Sequence, residues 1–572
     1  MAKAIPVELK KTDIGWQLMR AGQPYFIKGA GGSGDLKRLA ASGANSLRTW
    51  GADDIDDLLD EAHALGLSVT VGIWLGHERH GFDYEDEIAV HEQFERARNT
   101  VLRYRDHPAV LLWAVGNEME GFEAGDNPLI LKAVNDIGSM IKKLDPVHPT
   151  MTVTAEIGGG RLSSIERYAT AIDIHGINSY GGSPSIAKRY RENEAKKPYI
   201  LTEFGPPGSW EVGQNSWGAV NELTSTEKAE HYRKSYQQTV LGAPGVALGS
   251  YVFTWGYKME ATATWFGMFL PDGSSLASVD TMTELWSGSL PDNLAPVVKP
   301  LVIQGDDSVD PGSVIKVMSE INDPEAGEVK VHWALRRESD EYNTGGDYRA
   351  MIPDIEEAIL ESSTEGASIR MPEAPGSYRL FLYVYDDAGK AGTANIPLHV
   401  IGEPRLAMPF EVYEDGFEGM PWLPTGWMGN HEHLELDGEY KNNPHRGNAC
   451  IKIRYKGKAG WVGIAWQNPA NNWGDSEGGY DISDATALEF WARGAWGDEH
   501  INTGVGIIGK DKAYPDSGKA VSGVIVLTRD WKRYEISLDG IDLSSIKTGF
   551  YITISGSQTS VTVYLDSIRF IN

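Results

Sequence analysis

Between residues 24 and 255, short apolar runs alternate with longer stretches in which apolar residues recur every three or four positions. The runs fall at Tyr25–Ala30, Ser46–Trp50, Leu67–Trp74, Ala109–Val115, Thr150–Thr154, Ile172–Asn178, Tyr199–Thr202 and Val246–Phe253. Their length and flanking polar residues predict buried strands. Asp53–Leu65, Glu87–Tyr104, Leu129–Leu144 and Thr226–Leu241 carry the helical spacing of an amphipathic face. Strands and helices in this alternation predict a (β/α)8 TIM barrel. A doubly wound sheet is the rival, because Gly29-Ala30-Gly31-Gly32-Ser33-Gly34 fits G-x-G-x-x-G after the first strand. That fingerprint also needs an acidic residue ending the second strand. The second run ends in Trp50-Gly51, and Asp53 reads as a helix cap, so the glycines predict a flexible loop.

The texture changes after Leu290-Pro291-Asp292-Asn293-Leu294-Ala295-Pro296, which reads as a linker. Val314–Ser319, Glu328–Leu335 and Tyr378–Tyr385 alternate apolar and polar residues, with a turn at 322–327. Roughly a hundred residues of this pattern predict an immunoglobulin-like β-sandwich, expected to act as a spacer. From Phe410 onward the strands hold eight tryptophans and close on the period-2 run Val561–Phe570, which predicts a jelly roll. The expected domains are therefore residues 1–292, 293–403 and 404–572.

Composition narrows the partners. A net charge of −28 over 572 residues disfavours nucleic acid and anionic membrane surfaces. The one cysteine, Cys450, has no internal disulfide partner, and His77-Glu78-Arg79-His80-Gly81 is not the zinc motif His-Glu-x-x-His. No apolar run is long enough to span a bilayer. The first residues lack the apolar core of a signal peptide. A polymeric substrate would still place the protein outside the cytoplasm, secreted or periplasmic, and a monomer is expected.

Two acids carry the chemistry. Glu118 closes Val110-Leu111-Leu112-Trp113-Ala114-Val115-Gly116-Asn117, and Glu203 lies in Leu201-Thr202-Glu203-Phe204-Gly205. Both end barrel strands, where TIM-barrel catalytic groups gather. Tyr180, ending the sixth strand, is placed to donate a hydrogen bond to Glu203. Trp74 and His77 follow the third strand and are expected to touch substrate; Glu156, after the fifth, is a further candidate for the cleft. Glu120 reads as a solvated loop residue.

The barrel resembles clan A of the glycoside hydrolases, the retaining enzymes of the family 2 and family 5 types. Asn117-Glu118 looks like the clan's acid/base pair, and Thr202-Glu203-Phe204-Gly205 like its nucleophile strand. Asn45-Ser46-Leu47-Arg48 resembles the strand bearing an active-site Arg, and Phe253-Thr254-Trp255 the strand ending in a substrate-stacking Trp. The resemblance implies that Arg48 holds Glu203 ionised, Asn117 bonds a sugar 2-hydroxyl and Trp255 stacks on a pyranose. The last domain resembles jelly-roll carbohydrate-binding modules, which implies glycan contact by loop or face aromatics such as Trp466, Trp473 and Trp496. It also implies a structural Ca²⁺ held by Glu418 and Asp566.

These readings converge on a retaining glycoside hydrolase acting on a β-linked polysaccharide or oligosaccharide, with a β-glucan preferred and no catalytic cofactor. Trp210, Trp217 and Trp265 are expected to build sugar subsites. A transglycosylase would use the same residues. A non-catalytic glycan-binding protein is the alternative from another class.

Overall fold

The structure, a computed structural model, describes residues 3–119, 125, 127–339, 342, 349–402, 406, 408–457, 460–556 and 560–572. Glu120 lies outside the described residues. Eight parallel strands close into a barrel: β1 (Ile27–Gly31), β2 (Ser46–Arg48), β3 (Ser68–Ile73), β4 (Val110–Asn117), β5 (Thr150–Ala155), β6 (Ile174–Asn178), β7 (Tyr199–Phe204) and β8 (Ala247–Phe253). Sequence neighbours are barrel neighbours, and β8 pairs back onto β1. Every residue of β3 and β7 is buried, because a barrel strand is covered on both faces. That explains near-continuous apolar runs in place of alternation.

The helices start where local chemistry satisfies their free N–H groups. Asp86 caps Glu87–Tyr104, and Asn127 caps Pro128–Leu144 with proline in the first turn. Thr224 and Glu227 form a reciprocal capping box at Ser225–Ser235. The predicted helix over Thr226–Leu241 divides there, continuing as a wider π-type turn over Tyr236–Leu241.

An N-terminal hairpin, Val7–Thr12 with Gly15–Arg20, was not anticipated from the pattern. Its Val7 and Leu18 pack against Ile27, Leu111, Met151 and Leu248 in the barrel interior. Backbone bonds run from Val7 to Val147 and from Trp16 to Gly245, in loops that precede strands. The hairpin therefore seals the end of the barrel opposite the catalytic face, leaving chemistry to the other mouth.

Residues Met1–Gly402 form one compact unit in which a sandwich of two four-stranded sheets packs on the barrel. Phe381 and Tyr383 of the sandwich bury against Leu270 and Leu276 of the barrel. Arg379, 1% exposed, ion-pairs with Glu338 at 2.9 Å and donates to the Val220 carbonyl at 2.8 Å. The sandwich is thus a packed buttress, not the expected spacer.

Residues Glu403–Asn572 form a second unit of a six-stranded and a five-stranded antiparallel sheet. Ile453, Phe490, Phe550 and Leu565 fill its core. Trp466, expected as a face aromatic, is fully buried there, while Trp427, Trp461 and Trp496 are exposed. Asp566 is buried, and its Oδ2 accepts the backbone N–H groups of His445 and Arg446 at 2.8 and 3.2 Å. Among the described residues no three His, Cys, Asp or Glu side chains gather as a metal site. Asp566 instead pins the loop at His445 and Arg446 through their backbone donors.

Candidate active site

Glu203 sits on β7 with its carboxylate at the barrel mouth, 6% exposed. Oε1 accepts from Arg48 Nη1 at 3.0 Å and from Trp50 Nε1 at 2.7 Å; Oε2 accepts the Tyr180 hydroxyl at 2.7 Å. Arg48 and Trp50 come from one strand end, two residues apart and so on one face. Gly31 makes that possible, because a Cβ there would lie 2.8 Å from the Trp50 ring. Buried charge is tolerated only when its donors and acceptors are met. Arg48 therefore also donates to the Thr202 carbonyl at 2.9 Å and to Asn117 Oδ1 at 2.6 Å.

On β4 the strand alternation breaks. Gly116 and Glu118 both take positive φ, and the pairing with β5 slips between Ala114 and Asn117. Asn117 and Glu118, adjacent in sequence, can then both face the pocket instead of opposite sides. Glu118 is half-buried, and its Oε1 accepts Asn178 Nδ2 at 2.8 Å. Asn178 also donates to Asn117 Oδ1 at 3.1 Å and accepts from Thr202 Oγ1 at 2.8 Å. One chain of hydrogen bonds thus runs from Glu118 through Asn178, Asn117 and Arg48 to Glu203.

Tyr180 is buried at the cavity wall; burial, then the negative charges of Glu203 and Glu118, push its phenol well above the usual range. It therefore stays protonated, and a donor, at neutral pH. Both glutamates, Arg48, Asn117, Tyr180 and the half-exposed Trp74 line one cavity of about 1140 Å³. Two carboxyl groups converging on such a cleft, one locked by cation and donors and one more open, are the parts that glycosidic bond cleavage needs.

Residues 35–241, which contain both glutamates, match the family model for the TIM barrel domain of family 2 glycosyl hydrolases. The matched stretch is thus a barrel of the family 2 glycosyl hydrolase type. A probable mannan endo-1,4-beta-mannosidase C from Aspergillus terreus is 26% identical over 156 residues, 23% of this chain and 38% of that protein. Among solved structures, a beta-D-glucuronidase from Dictyoglomus thermophilum has TM-score 0.39 at 19% identity, covering 50% of this chain and 54% of that one. Bacteroides uniformis beta-glucuronidase 2 gives TM-score 0.38 at 13% identity over 98% and 67% of the two chains.

Several expected site residues lie elsewhere in this glycoside hydrolase barrel. Trp255 is 1% exposed, donates to the Asp35 carbonyl at 3.1 Å and packs on Phe269, so it is core and offers no face to a sugar. Phe253, two residues earlier, lines the cavity in its place. His77 is buried behind Trp74, stacked on it with centroids 4.8 Å apart; it supports that indole from below the cavity wall. Trp265 is buried, and Trp217 stacks on His399 of the sandwich; of the three loop tryptophans Trp210 reaches the cavity. Glu156 does line it, tied to Arg189 at 2.6 Å; burial raises its pKa, but Arg189 and Ser179 outweigh that and hold it low.

The site residues that sequence reasoning missed are Trp50 and Asn178. Each lies two positions from a residue it did identify, Arg48 and Tyr180, and period 2 at a strand end was the available signal.

Proposed function

We propose that this glycoside hydrolase cleaves a β-linked polysaccharide or oligosaccharide with retention, by double displacement. Glu203 attacks the anomeric carbon from one face while Glu118 gives its proton to the departing glycosidic oxygen. The glycosyl ester that results is then opened by water, whose proton returns to Glu118. Asn117 is suited to the sugar 2-hydroxyl, a contact that strengthens in the oxocarbenium-like transition state. The observation that carries this reading is the trio of donors from Arg48, Trp50 and Tyr180 fixed on Glu203, opposite a Glu118 that faces the same cavity.

The motifs leave the sugar open. A β-glucan is our first choice and a β-mannan the second, the latter because the Aspergillus relative is described as a mannosidase. Exposed Trp427, Trp461 and Trp496 of the second unit support glycan contact there. A polymeric substrate also favours a secreted or periplasmic location.

The test is wild type and Glu203→Ala on β-glucans, β-mannans, xylan and galactans, with products read by mass spectrometry. Cleavage of one polymer by wild type alone supports the reading. Products longer than the substrate would favour transfer to a sugar hydroxyl over hydrolysis. Equal cleavage by both proteins overturns the role of Glu203.

A further inference from the structure

Two indoles in the cavity are left open although the protein buries others nearby. Trp74 is 49% and Trp210 53% exposed, against 1% for Trp255 and 2% for Trp265. Trp74 follows directly on β3, and Trp210 stands six residues beyond the end of β7. In the closed order of the barrel these strands are four places apart in a ring of eight, so the segments that carry the two rings leave the barrel on opposite sides of the mouth. Glu203, on β7 and held by groups from β2 and β6, lines the same cavity as both rings.

Both rings are held in place. Trp74 lies on His77 with planes 14° apart, which leaves its other face to the cavity. Trp210 stands edge-on to Tyr180 at 5.7 Å, and Gly208 lets it fold back, since a Cβ there would lie 2.4 Å from the indole. Leaving so much flat apolar surface in water is unfavourable unless a ligand covers it. The C–H faces of pyranose rings suit that role. The cavity therefore offers two separate flat apolar faces, one on the β3 side and one from the loop after β7. Its volume of about 1140 Å³ also exceeds that of a typical small-molecule pocket.

We infer that the enzyme binds a polysaccharide chain across the barrel mouth, from Trp74 to Trp210, and cuts internal bonds. This rests on the hydrolase reading above and specifies its substrate as a chain bound on both sides of the cleaved bond.

The experiment follows viscosity and reducing ends together on a soluble β-glucan and a soluble β-mannan, with an aryl β-glycoside panel in parallel. The cleavage position is then mapped on reducing-end-labelled hexasaccharides of the polymer that is cut, for wild type, Trp74→Ala and Trp210→Ala. Viscosity is expected to collapse while few reducing ends have formed. Each alanine variant should lose about tenfold in kcat/KM on the hexasaccharide. The two should shift the labelled products in opposite directions, and Trp74→Phe and Trp210→Phe should recover most of the loss. Release of one short sugar from a chain end, with viscosity tracking reducing ends, overturns the inference, as does a shift in the same direction or none. Aryl glycoside cleavage with both polymers intact overturns it too and leaves the hydrolase reading standing. If wild type cleaves nothing in either panel, both fall.

Discussion

The ends of β7 and β4 hold their carboxylates in opposite ways. Glu203 is almost fully buried, under a guanidinium, an indole N–H and a phenol. Glu118 is half-buried, on a left-handed backbone, and meets the neutral amide of Asn178. Three donors that fix a carboxylate in place suit the attacking role proposed for Glu203. A carboxyl group more open to the cavity suits the acid/base role proposed for Glu118. One strand serves both: β6 ends in Asn178, which touches Glu118, and leads to Tyr180, which touches Glu203.

Removing each acid should break the symmetry most sharply. Glu203→Ala is expected to lose about 10⁴-fold or more in kcat, since a missing nucleophile disables a unit rather than one contact. Added azide should then yield a glycosyl azide of inverted configuration. Glu118→Ala should lose about 10²–10⁴-fold on polymer and much less on substrates whose leaving group needs no proton. Azide should here give the retained anomer, and NMR of the two azides checks the assignment. The same configuration from both variants would contradict it.

Smaller changes sharpen the Glu203 side alone. Tyr180→Phe takes one donor from a charged acceptor, so kcat/KM should drop by about 10–100-fold, the equivalent of ~1.5–3 kcal/mol. Because the phenol's pKa is raised, it stays protonated as pH climbs. The basic limb of the pH profile should therefore be the same in wild type and Tyr180→Phe. Trp50→Phe, which keeps the ring and removes the N–H, should cost about tenfold. Loss of good-leaving-group selectivity in either variant would instead implicate Glu118.

On the shared strand the expected effect is on stability, not rate. His175 lies on β6 with its ring against Tyr190, 2.6 Å from that hydroxyl. Burial, then Lys197, push its pKa down to about 3. The unfolded chain binds a proton near pH 6.5 that the folded one refuses. Stability contributed by this neutral ring is present above pH 6.5 and declines as pH falls toward 3, by about 1.4 kcal/mol per unit. Urea midpoints between pH 7 and 4 should slope less in His175→Gln than in wild type. Parallel slopes would exclude His175 as a source of acid sensitivity.

The barrel was legible because burial on two faces writes itself into sequence as apolar runs and turn signals. Glu118, Glu203, Arg48, Asn117 and Tyr180 were legible because strand ends in a barrel converge. Trp255 misled because its neighbours match a motif, while the chain turns its ring inward onto Phe269 and Trp286. His77 misled because a loop after a strand can fold a polar ring behind its neighbour. The hairpin at Val7–Arg20 and the sandwich's grip on the barrel through Arg379 leave no period in the sequence, since both depend on contacts between distant segments.

By itself the sequence determined a parallel barrel, two β-rich regions after it, and the acids whose strand-end positions suit glycosidic chemistry. Those properties follow from local period and from the few residue types able to attack carbon or pass a proton. Tertiary structure alone decided which tryptophans face the cavity, that Trp50 and Asn178 complete the network, and that Asp566 accepts backbone N–H groups from a distant loop. The reason is geometric: a side chain's exposure and partners depend on what strands four places apart bring to the same mouth, and no local window contains that information.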